Sequence, residues 1–219
     1  MHVHVNAAVS ADGKLSTRER EQVTISGDAD FARVDRIRAE ADAVMVGVGT
    51  VLSDDPSLRR HDELHRADVH GEDAGPPARA VADSRARTPP DAKVLAGDQT
   101  TYLLVTEAAP DQRVAALEDA GTDVVSAGAE RVDLPAALGA LADRGVEYLM
   151  VEGGGELIYS LFATRLVDRL TVFVGSVVIG GRDAPTLVDG EGFVAGFPAL
   201  DLRDVERVDD GVVLDWVVK

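Results

Sequence analysis

Short apolar runs of strand length alternate with stretches of helical periodicity along most of this chain, and that alternation confines it to an α/β fold with a largely parallel sheet. Residues 2–9, 43–48, 78–82, 101–105, 123–126 and 148–151 read as strands. Between the first two, Phe31, Val34, Ile37 and Ala41 recur at helical spacing, in a helix that Asp28 or Ser26 is placed to cap. Val114, Leu117 and Ala120 form a second stripe ended by Gly121, and Leu134, Leu138 and Leu141 a third closed by Gly145. Residues 170–179 and 212–218 are strand-like with no long helix between them, so the sheet is expected to finish with antiparallel additions. Residues 59–77 break the rhythm. They are rich in acids, histidine, glycine and proline and poor in aliphatics, and are expected to form a polar, largely mobile loop.

No internal repeat or linker divides the 219 residues, so one domain spanning 1–219 is expected. At 45% apolar content a chain of this length buries enough surface to need no metal or disulfide staple. Cysteine is absent, which excludes thiolate zinc sites, thiol nucleophiles and disulfides. No apolar run approaches the ~20 residues of a membrane helix, and the N-terminus lacks the apolar core of a signal peptide, so a cytoplasmic protein is expected. The 39 acidic residues outnumber the 22 basic ones, for a net charge of −17, which argues against nucleic acid as a partner. The surplus is spread along the chain rather than gathered in a tail, and lysine occurs only at Lys14, Lys93 and Lys219. Such a surface suits high salt, where the Debye length shrinks to about 3 Å at 1 M and self-repulsion is screened.

Three places carry candidate chemistry. The strongest is Glu152-Gly153-Gly154-Gly155-Glu156, where a buried strand runs into three glycines and then an amphipathic helix. Glycines let the backbone approach a ligand closely, and a helix start offers free N–H groups and about half a positive charge to a phosphate. An ordinary tight turn needs one glycine, hardly three. The spacing fails the Rossmann fingerprint because Ile158 stands where the last glycine belongs, and no Walker P-loop occurs, so a dinucleotide site must belong to another fold. The second place is Gly47-Val48-Gly49-Thr50 followed by Asp54-Asp55-Pro56, where a strand again ends in glycines. It reads either as a hydroxyl and carboxylates offered to a ribose or as a capped helix stopped by proline. The third is Asn6 to Leu15, where a strand delivers polar residues into an Asp12-Gly13-Lys14 turn. Lys14 is suited to proton transfer or a compact phosphate contact, unless it is a solvated turn residue. His61 and His65 stand four apart, and His2 and His4 share a strand face, but nothing completes a site and no metal is expected. Trp216, among apolar neighbours, is expected in the core.

In their order and separation, the Asp-Gly-Lys turn, the helix bearing Arg38, Gly47 to Leu58 (GVGTVLSDDPSL), Ala82-Asp83-Ser84, Val151 to Gly155 and Ile179 to Thr186 (IGGRDAPT) resemble the riboflavin-biosynthesis reductase family over nearly the whole chain. The resemblance implies a dihydrofolate-reductase-like α/β fold, a mixed, mostly parallel sheet flanked by helices, in a homodimer formed through β-rich surfaces. It implies NADPH-dependent reduction of a small molecule, the ribosylamino side chain of a 2,5-diamino-pyrimidinone 5′-phosphate, with NADH as the other candidate cofactor. It assigns Thr50, Asp54, Ser84, Gly153, Gly154, Gly155 and Glu156 to the cofactor, Asn6, Arg38, Leu58 and Glu152 to the substrate, and Lys14 or Glu152 to proton traffic. Where many bacterial members have an arginine after the Asp-Asp-Pro segment this chain has His61, preceded by Arg59 and Arg60, so which of the three meets the substrate phosphate stays open. The bifunctional members carry an N-terminal zinc deaminase with a cysteine signature, and a chain without cysteine is not expected to deaminate by that route. The rival expectations are another NADPH reductase of the same fold and a nucleotide-binding module without catalysis.

Overall fold

The computed structural model describes residues 1–219. Contacts group the chain into two compact units, one of Met1 and Asp35–Met150, the other of His2–Val34 and Val151–Lys219.

The first unit is built of parallel strands. β2 (Ala43–Gly47), β3 (Ala78–Ala82), β4 (Thr101–Val105) and β5 (Asp123–Ser126) run in the order β5-β4-β3-β2, with the start of β6 (Tyr148–Gly153) beyond β2. Val44, Met45 and Val46 pair with Arg79, Ala80 and Val81, and Val81 with Leu103. Both faces of β2, β3 and β4 are buried, whereas β5, at the edge, buries only Val125 and exposes Asp123 and Ser126. Val44, Val46, Val81, Leu103 and Val105 join Val48, Val51, Leu58 and Leu117 in one cluster. Each such aliphatic side chain, fully buried, contributes about 1.5–3 kcal/mol. The unit also carries the C-terminal half of α1 (Asp28–Glu40), then α2 (Val48–Asp54), α3 (Glu63–His70), α4 (Asp111–Asp119) and α5 (Leu134–Ala142). α5 begins where Asp133 accepts the Ala136 N–H, and buries Leu134, Ala137, Leu138 and Leu141 on one face.

The second unit is mixed. The end of β6 leads, in sheet order, to β1 (His2–Val9), β7 (Arg169–Val174), β9 (Gly211–Val218) and β8 (Leu200–Val208), with α6 (Gly155–Ala163) beside them. β1 and β7 are parallel, and β7–β9 and β9–β8 antiparallel, as the β-rich C-terminal third led one to expect. A bulge between Leu202 and Asp204 shifts the β8 register, so that Leu202 faces Trp216 and Val205 faces Leu214. Cross-strand partners share a face, and this one carries Leu202, Val205, Leu214 and Trp216 together. β8 is the edge strand, and Leu202 and Val205 are 57% and 54% exposed.

Four sequence expectations change. The segment 59–77 is not a structureless loop. It contains α3, whose first turn is capped by Asp62 accepting the His65 N–H, while Arg66 is buried and donates to the Ala39, Ala41 and Gly75 carbonyls. A guanidinium serving three carbonyls does the anchoring that an apolar stripe does elsewhere. The first turn of α1 is capped neither by Asp28 nor by Ser26. The Asp209 carboxylate accepts from the Ala29 and Asp30 N–H groups, Ser26 bonds the Asp30 side chain instead, and Phe31 is exposed. β7 stops at Val174 rather than running to residue 179, where Gly175 passes so close to Ile25 that a Cβ would stand 2.6 Å from it. Trp216 is half-buried on β9 rather than a core residue. No helix is long and apolar enough to cross a membrane.

Candidate active site

In the second unit the three glycines link β6 to α6. Gly153 has φ +130, a region closed to most side chains, with nothing within 4 Å of where its Cβ would stand. The Gly153–Gly154 peptide is cis. Gly154 is the N-cap of α6, and no side chain accepts from the first turn, so its opening N–H groups are left for solvent or a ligand. Gly155 answers a different need. A Cβ there would lie 2.4 Å from the Thr186 carbonyl oxygen and 2.6 Å from the Asp189 Cβ, and the Gly155 carbonyl accepts from the Asp189 N–H at 3.1 Å. Glu152 is half-buried near the end of β6, and Glu156 is exposed in the first turn of α6.

Lys14 reaches the same 184–189 segment. It forms an antiparallel bridge with Thr186, and its Nζ donates to the Ala184 carbonyl at 3.1 Å. Ser10 holds the turn, accepting the Lys14 N–H at 2.9 Å and donating to Asp12 at 2.7 Å. Asp12 also accepts the Ile179 and Gly180 N–H groups, and the Ser10 hydroxyl and these amides lower its pKa to about 2. Thus the Asp-Gly-Lys turn, the Ala184-Pro185-Thr186 segment and the glycine turn, distant in sequence, adjoin one another.

Asn6, on β1, is buried, and its Oδ1 accepts from Arg33 Nη1 at 2.9 Å. Arg33 is gripped in turn by Asp30, which is 1% exposed, through Nε at 2.9 Å and Nη2 at 2.7 Å. On the same strand face, His4 Nε2 lies 2.6 Å from Thr171 Oγ1, which bonds Asp215 at 3.1 Å, and Asp215 pairs with Arg169. Thr171 donates to the carboxylate and so accepts from His4, which fixes the His4 proton on Nε2. Burial, aided by Arg169, lowers the His4 pKa to about 3. Burial opposes the Asp215 charge, but bonds from Arg169 and Thr171 hold its carboxyl below the usual range.

In the first unit, α2 starts at Gly47, again without a side-chain cap. Gly49 is exposed with nothing within 4 Å of a would-be Cβ, and Thr50 and Asp54 are half-buried. Asp55 ends α2 at φ +43, accepts the Lys93 N–H at 2.8 Å and pairs with Lys93 Nζ at 3.4 Å. That accounts for one of the three lysines and commits the second carboxylate of the Asp54-Asp55 pair. Leu58 has φ +50, and its side chain lies in the core, so it is the backbone that this strained position presents. Asp35 gathers Arg38, at 3.5 Å, and Arg60, at 2.6 Å, and Arg38 donates to the Arg60 carbonyl. His61 Nδ1 donates to the Arg59 carbonyl. His65 and His70 are engaged by Glu40, and no group of three or more His, Asp or Glu has metal-binding geometry. Ser84 Oγ accepts the Val132 N–H at 3.1 Å, which leaves its proton to donate. The loop behind it is pinned by Asp83, whose Oδ2 accepts from the Thr88 N–H and hydroxyl. Arg33 and Arg66 were not singled out from the sequence, and Asp12 and Asp83 stood inside its motifs without a role of their own. Only the Asp30–Arg33 spacing of three, a helix-surface pair, signalled one of them.

A mixed, mostly parallel sheet flanked by helices, with glycine turns where parallel strands end, is the dihydrofolate-reductase-like fold. It is shared with a pyrimidine reductase-like protein of Corynebacterium diphtheriae (TM-score 0.83, 19% identity, 100% of this chain and 92% of that one). It is shared too with Acinetobacter baumannii RibD (TM-score 0.78, 24% identity, 100% of this chain and 58% of that one). The chain belongs to the RibD C-terminal domain family, whose model matches residues 1–214. It is 43% identical over 211 residues to the 2,5-diamino-6-ribosylamino-4(3H)-pyrimidinone 5′-phosphate reductase of Archaeoglobus fulgidus, covering 96% of this chain and 94% of that protein. It is also 43% identical over 220 residues to the reductase of the same name from Methanothermobacter thermautotrophicus, covering 100% and 98%.

Proposed function

We propose that this protein is a cytoplasmic reductase that uses NADPH to convert the ribosylamino side chain of 2,5-diamino-6-ribosylamino-4(3H)-pyrimidinone 5′-phosphate to the ribitylamino product. The observation that carries this reading is the near full-length 43% identity to reductases of that name. The residues fit a pyridine nucleotide. An uncapped helix start and the open backbone at Gly153 suit its phosphates, and Thr50, Asp54 and the free Ser84 proton suit its ribose hydroxyls and phosphate. When bound, the nicotinamide supplies a hydride to the imine carbon of the ring-opened sugar.

The accompanying proton is the work of Lys14. Its ammonium, fixed by the Ala184 carbonyl, has further N–H bonds to offer. Glu152 is the second candidate, on the substrate side with Asn6, Arg38 and the Leu58 backbone, and the Arg59, Arg60 and His61 run supplies the phosphate contact. The test is loss of reduced-nicotinamide absorbance with this substrate, against dihydrofolate as the competing one. Turnover of dihydrofolate alone would point to another reductase of the fold, and no turnover of either to a binding module. NADPH should be used at least tenfold more efficiently than NADH. Lys14→Met should lower kcat by about 10²-fold or more with NADPH affinity held within twofold, the range of a lost general acid.

We further propose a homodimer through the β8–β9 face, on the evidence of the unpaired β8 edge and the exposed Leu202 and Val205. Light scattering should show a dimer for the wild type and a monomer for Val205→Glu. The acidic surface is read as suited to high salt, so the melting temperature should climb between dilute buffer and molar salt.

A further inference from the structure

We propose that Arg33 is a positioning residue that turns Asn6 into a dedicated hydrogen-bond donor, so that Asn6 reads an acceptor atom on the substrate. This rests on the substrate role given to Asn6 above. An asparagine amide can accept at one end and donate at the other, and which end a ligand meets depends on what holds it. A guanidinium only donates. The end of Asn6 that meets Arg33 Nη1, at 2.9 Å, is therefore Oδ1, and Nδ2 is the end left to offer. Arg33 cannot swing away cheaply, because Asp30 takes Nε and Nη2 and is itself buried, bonded by the Ser26 hydroxyl and fixed through its backbone N–H to Asp209. The guanidinium is spread between a carboxylate and an amide in the planar fork that lysine lacks. A carbonyl, a ring nitrogen or a sugar oxygen satisfies the donor that results, and a ligand presenting an N–H there leaves two donors facing each other.

Asn6→Asp separates this from a purely structural role. A carboxylate at residue 6 keeps and strengthens the bond to Arg33 but has no proton to give the substrate. The expected result is an unchanged or raised melting temperature, unchanged NADPH affinity, and a KM for the pyrimidine at least tenfold higher, with kcat changed less than threefold. Arg33→Met, which frees the amide to rotate, should raise KM about fivefold, and Arg33→Lys should recover most of that. A wild-type KM in Asn6→Asp overturns the proposal, as does a wild-type KM in Arg33→Met. A wild-type protein inert toward the pyrimidine would instead sink the functional reading, and this inference with it.

Discussion

The two glycine turns look alike in sequence and are held differently. Each follows a buried strand and opens a helix with no side-chain cap. At Gly155 the close neighbour is the chain itself, the Thr186 carbonyl and Asp189, so this glycine is needed to fold. At Gly49 nothing comes within 4 Å, so the same residue type answers to no packing constraint. A run of glycines thus mixes positions open to a ligand with positions the fold has already filled, and only the neighbours tell them apart.

Three substitutions test the contrast. Gly155→Ala should have the largest effect, about 3 kcal/mol or more of stability, because the added Cβ meets a backbone oxygen that cannot move aside. For a chain of this size that is a fall of roughly 6–12 °C in melting temperature, and a change under 2 °C would break the distinction. The second test is acid. The second unit holds His4, whose folded pKa of about 3 lies below its ordinary 6.5. A group shifted this way stabilises the fold fully above 6.5, and that stability drains as pH falls from 6.5 toward 3, at about 1.4 kcal/mol per pH unit. Asp12 and Asp215 act lower, their contribution being present above about 3.8 and lost as pH falls through their depressed values. In the first unit the carboxylate so shifted is the peripheral Asp55. Hydrogen exchange should therefore show the second unit opening first between pH 6.5 and 4. His4→Gln, which still donates to Thr171, should flatten that limb, and an unchanged slope would remove His4 as its cause. The smallest effect is Gly49→Ala, expected to be neutral or to add up to about 1 kcal/mol from helix propensity. Wild-type NADPH affinity in that variant would show that no ligand approaches the backbone at residue 49.

The parallel strands and the helices α4 to α6 were legible because each is a run of aliphatics with the right period and a glycine or a cap at its end. α3 was not, because its anchor is the single buried Arg66 and its surroundings are charged, so no apolar stripe exists to be read. β8 escaped for a related reason. Its sequence Leu-Asp-Leu-Arg-Asp-Val-Glu-Arg-Val mixes charge with aliphatics on an exposed edge, and the bulge after Leu202 breaks its alternation. In the site, glycines, Lys14 and Asn6 stood out by type and place. What orients them did not, since the bond from Arg33 to Asn6 exists only once a helix lies against a strand, and the tie from Lys14 to Ala184 spans 170 positions.

Asp209 gives that separation a temporal sense. Its carboxylate receives the opening amides of α1, so the chain's first helix is finished by a hairpin corner synthesised some 180 positions later. Until that corner emerges, Asp30 has lost one of its fixings and Arg33 is free to wander. A polypeptide cut short before residue 200 would keep every side chain proposed to meet the substrate and lose the brace that aims one of them.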